Sequence, residues 1–105
     1  MHWIALIFAG ALEVVWATAM KQSDGFTRIV PSIVTFCTAG ASFWLLAYAM
    51  KALPLGTSYA VWTGVGAAGA FVAGVVLFGE QLSALRVVSI IFIVLGLIGL
   101  RLATE

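Results

Sequence analysis

Residues 3–20 read WIALIFAGALEVVWATAM, eighteen positions at which a single residue, Glu13, is charged. At 1.5 Å per residue a helix of this length reaches about 27 Å, close to the ~30 Å hydrocarbon core of a bilayer. The apolar residues run on without alternation, whereas a barrel strand shows a two-residue period and needs about half the length. The stretch reads as a membrane-spanning helix. Three more runs share its character, at about 31–50, 57–78 and 84–102. The second begins at Pro31, a residue suited to a helix's first turn. The fourth holds Arg86 and Arg101 near its ends, where long side chains snorkel outward. Lys21-Gln22-Ser23-Asp24-Gly25, the turn 51–56 with Pro54, and Gly79-Glu80-Gln81 separate the runs. The expected fold is an all-α membrane protein, four transmembrane helices in one domain covering residues 1–105.

Composition leads to the same class. The 105 residues are 64% hydrophobic and 9% charged, against about 25% charged in soluble domains. Five Lys/Arg and four Asp/Glu cannot cover the surface that so small a domain leaves in water. The net charge of +1 provides no basic tract, so nucleic acid is not expected as a partner. Cys37, alone in an apolar run, is expected to be a small buried hydrophobe and cannot form an intrachain disulfide. No Lys or Arg precedes the first run, which itself contains an acid, so that run is expected to be kept as a span rather than cleaved.

No constellation for catalysis is present. One His, one Cys and one intramembrane acid make neither a metal cluster nor a catalytic triad. No cofactor is expected and the chain is not expected to be an enzyme. Without a Gly-x-x-x-x-Gly-Lys-[Ser/Thr] loop it cannot run on ATP by itself, which leaves an ion gradient as the energy source. Orientation is weakly specified. Lys51 and Arg101 fall on one side of the membrane and Lys21, Arg28 and Arg86 on the other, too small a bias to fix a topology. Either another cue sets one orientation, or copies insert both ways and pair antiparallel.

Glu13 is the anomaly. It lies near mid-membrane, where an acid costs about 2.5 kcal/mol or more. All five basic residues are at span ends or in loops, so no buried partner within the subunit is evident. A carboxyl so placed can hold a proton or a cation. Its bland role would be that of a neutral hydrogen-bond donor between helices. Helical spacing puts Leu6, Ala9, Gly10, Trp16, Ala17 and Met20 around the same face. Trp16 offers an aromatic face and an N–H. Tyr59 and Trp62 share a face of the third span, and Ser42 on the second adds a hydroxyl able to bond the carboxylate. An anion among aromatic rings suits a cation, although belt packing explains Tyr59 nearly as well. Glycines 64, 66, 69 and 74 fit either a bending helix or close helix packing. Ser89, Gly96 and Gly99 form a small-residue stripe suited to a helix contact between subunits.

These residues carry a resemblance. Ala11-Leu12-Glu13-Val14-Val15, Gly25-Phe26-Thr27-Arg28 leading to Pro31-Ser32, and the run from Leu53-Pro54-Leu55-Gly56 to Trp62-Thr63-Gly64-Val65-Gly66 are similar to the small multidrug resistance family over essentially the whole chain. Trp16 after Glu13-Val14-Val15, and Ala67-Ala68-Gly69-Ala70, resemble its guanidinium-exporter subtype. Arg101 stands where that subtype often has lysine. The resemblance implies an antiparallel dual-topology homodimer in a bacterial inner membrane, exporting guanidinium against protons by alternating access. It implies that Glu13 of both subunits binds guanidinium or protons in a shared site, with two protons exchanged per cation. Trp16, Ser42, Tyr59 and Trp62 would hydrogen-bond and orient the carboxylates. The alternative is a proton-coupled exporter of hydrophobic quaternary ammonium cations. A small channel and a non-transporting membrane subunit are further rivals.

Overall fold

The structure, a computed structural model, describes residues 2–104. Four helices follow one another: α1 (His2–Gln22), α2 (Ile29–Ala49), α3 (Leu55–Phe78) and α4 (Ala84–Thr104). Each is long and apolar enough to cross a membrane. Helix α2 starts two residues before Pro31, which therefore sits inside the first turn. Its missing N–H is one of those a helix start leaves unbonded in any case.

Helix α1 is the centre of the bundle, packed on α2 and α3, while the backbone of α4 approaches α3 alone. Leu6 and Ala9 of α1, Leu46 and Ala49 of α2, and Val61 and Trp62 of α3 form the core. Small residues allow the close approach. A Cβ added to Gly10 would lie 2.7 Å from Val65 Cβ, and one added to Gly64 would lie 2.7 Å from Leu97 on α4. Helices that gain nothing by hiding apolar surface from lipid associate through such tight backbone contacts.

The connections fix which ends meet. The Ser23 hydroxyl, fully buried, donates to the Met20 carbonyl at 2.6 Å and accepts from the Phe26 N–H at 3.0 Å. That tie holds Asp24, Gly25 and Phe26 with φ of 51°, 72° and 66°, a left-handed run that turns the chain sharply into α2. Phe26 then stacks on Phe36. At the opposite end His2 stacks on Tyr48 with ring centroids 4.9 Å apart, and the Arg101 guanidinium lies 4.7 Å from the Trp3 ring centroid. The start of α1 thus meets the ends of α2 and α4.

The outside is apolar. Leu85 is 78% exposed and Val76 72%. Each side chain so placed in water would forgo about 1.5–3 kcal/mol of burial; in hydrocarbon it is at home. None of the described α4 side chains is buried, and its Ser89, Gly96 and Gly99 open outward with nothing within 4 Å of either glycine. Cys37, expected to be buried, is exposed on α2. An apolar run in a membrane protein can face the core or the apolar outside of the bundle, and Cys37 faces outward.

Candidate functional site

Polar side chains inside the spans are mostly accounted for locally. The hydroxyls of Thr35, Thr38, Thr63 and Ser89 each donate to the carbonyl one turn back, at 2.6–2.9 Å, the usual way a hydroxyl is satisfied within a helix. Against that background the exceptions stand out. Glu13 Oε1, Trp16 Nε1 and Ser58 Oγ are buried without a hydrogen-bond partner among the described residues.

Glu13 sits halfway along α1 and rests directly on Gly66 of α3. A Cβ at Gly66 would overlap the carboxylate and lie 2.8 Å from Glu13 Cγ. One turn further Val14 packs into the space left by Gly69. Gly66 and Gly69, two of the five glycines of α3, therefore clear a seat for the acid and its neighbour, and α3 runs through them as a continuous helix. Of the two readings of these glycines, close packing is the one the structure adopts.

An aromatic wall runs beside the acid. Trp16 and Phe43 have ring centroids 6.3 Å apart, Phe43 and Trp62 5.3 Å, and Trp62 and Tyr59 5.5 Å. Trp62 is buried while Tyr59 is 53% exposed, so the wall leads from the interior to the outside. Phe43 was not among the residues marked by sequence. It follows Ser42 directly, and that adjacency was the available signal.

Ser42, fully buried, joins all three core helices. Its Oγ accepts from Trp62 Nε1 at 2.9 Å and donates to the Ala9 carbonyl at 2.7 Å. Ala9 lies four residues before Glu13, so its carbonyl is also the one facing Glu13's own backbone N–H in the helix ladder. The expected bond from Ser42 to the carboxylate is not the one made. Ser42 instead fixes Trp62 and the helical turn that carries Glu13. The structure brings Glu13 onto Gly66, links Ser42 to Trp62, and sets Tyr59 against Trp62; Trp16 reaches the group through Phe43.

An unpaired carboxylate oxygen and an indole N–H, buried without partners, each cost about 1–3 kcal/mol. Both become satisfied when a ligand with N–H donors meets the acid and an acceptor meets the indole.

The chain is similar to known proteins over nearly its whole length. The family description Small Multidrug Resistance protein matches residues 1–93. The chain is 55% identical over 104 residues to a protein of Yersinia pestis named guanidinium exporter, covering 99% of this chain and all of that one. It is 54% identical over 105 residues to the guanidinium exporter of Escherichia coli K12, and 52% to that of Citrobacter freundii, with both chains covered in full. Four apolar helices built around an intramembrane acid, together with a match over nearly the full length, make this chain a member of the small multidrug resistance family.

Proposed function

We propose that this multi-pass protein of a bacterial inner membrane exports guanidinium in exchange for protons. It works as an antiparallel homodimer whose two Glu13 carboxylates share one site. The observation that carries the reading is the buried, unpartnered Glu13 oxygen seated on Gly66. The names of the full-length relatives support the substrate.

Guanidinium is planar, permanently charged, and offers N–H donors in a fork that fits a carboxylate. It has no acceptor, so it cannot satisfy the Trp16 N–H. A carboxylate can. Two carboxylates therefore suit the site better than one: the cation lies between them and an indole steadies each. A second copy of the chain supplies the second acid, and the weak Lys/Arg bias between the two faces permits both insertions. Protons and guanidinium then compete for the same oxygens, which couples their fluxes. Ser42 and Trp62 hold the Glu13 turn in register, and Tyr59 forms the outer edge of the aromatic wall.

The test is transport by purified protein in liposomes under an imposed pH gradient, comparing guanidinium with a bulky quaternary ammonium. Uphill guanidinium uptake driven by the proton gradient is the expected result, and it also excludes a channel and a non-transporting subunit. Preference for the bulky cation would reassign the substrate to hydrophobic quaternary ammonium compounds.

A further inference from the structure

Helices α1 and α3 run parallel, and their seam continues past Glu13 toward their C-terminal ends. One turn beyond the Glu13–Gly66 contact lies a cavity of about 210 Å³ walled by Ala17, Thr18, Ala70 and Gly74. Ala17 and Ala70 each stand four residues, about 6 Å of helix rise, past Glu13 and Gly66. The far end is closed by Lys21, Phe78 and Glu80. Lys21 Nζ is 3.7 Å from Glu80 Oε2 and 5.4 Å from the centroid of the Phe78 ring.

Glu80 is turned into this mouth by two backbone features. Gly79 takes φ 64°, and both its N–H and that of Glu80 return to the Gly74 carbonyl, the latter at 3.1 Å. This folds the chain back over the end of α3. Gly74 lacks the Cβ that would block the carboxylate, lying 2.8 Å from Glu80 Cδ. The C-terminal ends of α1 and α3 lie side by side here, and helix C-termini carry partial negative charge. A carboxylate, two helix ends and an aromatic ring make a mouth that attracts cations, and Lys21 occupies it.

We propose that Glu80 is an outer guanidinium-binding residue. The cation displaces Lys21 from the Glu80 carboxylate and is held at this end of the α1–α3 seam, beside the cavity walled by Ala17, Ala70 and Gly74. The inference rests on the guanidinium reading above. Lys21 is a point charge on a flexible stem and pairs with Glu80 at a distance longer than a strong charge-assisted hydrogen bond. Guanidinium can hold the same carboxylate through two parallel bonds, so the exchange favours the substrate. Both partners are partly exposed, so the exchange takes place in contact with water.

The experiment measures guanidinium chloride uptake into liposomes for wild type, Glu80→Gln, Lys21→Gln and Gly74→Ala. The two members of the pair should shift in opposite directions. Glu80→Gln raises the half-saturating guanidinium concentration about threefold, the range of a partly exposed ion pair. Gly74→Ala moves it the same way by crowding the carboxylate. Lys21→Gln, which frees Glu80, lowers it. The Glu80→Gln shift should also shrink at high sodium chloride, because exposed charges are screened. An unshifted Glu80→Gln, or a rise with both Glu80→Gln and Lys21→Gln, overturns the proposal, the second result marking the pair as merely structural. A wild-type protein that moves no guanidinium overturns the function itself and this inference with it. Wild-type transport with an unshifted Glu80→Gln removes the inference alone.

Discussion

The carboxylate of Glu13 lies on the bare backbone of Gly66, with no room between them for a single added carbon. The contact sets how closely α1 and α3 approach at mid-membrane and where the acid points. Gly66→Ala should therefore displace the carboxylate or pry the helices apart. Guanidinium uptake into liposomes is expected to fall at least tenfold while circular dichroism shows the helices retained. Gly40→Ala is the control: nothing lies within 4 Å of that position, and transport should not change.

Removing the acid's charge tests its role directly. Glu13→Gln keeps shape and polarity, so the protein should still insert and purify as wild type does. It should neither bind guanidinium nor release protons when guanidinium is added, as read by isothermal titration in two buffers of different ionisation enthalpy. Coupled transport by this variant would sink the assignment.

The proposed competition of protons and guanidinium for Glu13 fixes the sign of the expected pH dependence. Guanidinium needs the ionised acid, so lowering pH fills the site with protons and weakens binding. Linkage sets the slope: each proton displaced per cation changes the apparent affinity by up to tenfold per pH unit on the acid side. Trp fluorescence titrations across a pH series should show this loss in acid and a plateau in alkali.

Ser42→Ala should cost stability as well as function. The change strips Trp62 Nε1 of its acceptor and leaves an indole N–H buried. About 1–3 kcal/mol is the expected loss, measurable as a lower midpoint of thermal unfolding in detergent. Guanidinium affinity should drop too, since Trp62 and the Glu13 turn lose their common tie.

Gly25→Ala should separate stability from transport. The position has φ 72° with nothing within 4 Å, so an added Cβ meets only backbone strain, about 1 kcal/mol. A lower unfolding midpoint with unaltered guanidinium uptake is the expected pair of results.

The four helices were legible because a bilayer demands runs of about 20 apolar residues and the breaks between them are unmistakable. Glu13 was legible for the converse reason, as a charge where charge is expensive. What the residues could not disclose was which polar atoms would meet. Ser42 faces two possible partners, a carboxylate and a carbonyl, and only the packing of α2 on α1 selects the Ala9 oxygen. Gly66 and Gly69 read equally as hinges or as clearances until Glu13 and Val14 are seen filling the space. The pairing of Lys21 with Glu80 has no sequence period behind it, because it depends on two parallel helices ending side by side. In the turn after α1, Gly25 signals a reversal, yet the left-handed Asp24 and Phe26 beside it follow from the buried Ser23 hydroxyl rather than from their own preferences.

The Trp62–Ser42–Ala9 chain has a mechanical consequence. It pins three helices together one turn from the acid, near the middle of the spans, whereas the contacts His2–Tyr48 and Lys21–Glu80 near their ends each join one pair of elements. On the function proposed above, this three-way tie would serve as a fulcrum beside the bound cation. A rigid tilt of about 10° around that point carries each tip of a 31 Å helix through about 3 Å while the carboxylate hardly moves. In the proposed transport cycle, small rotations about this tie would change access to Glu13 from one face to the other while the site around the carboxylate keeps its geometry.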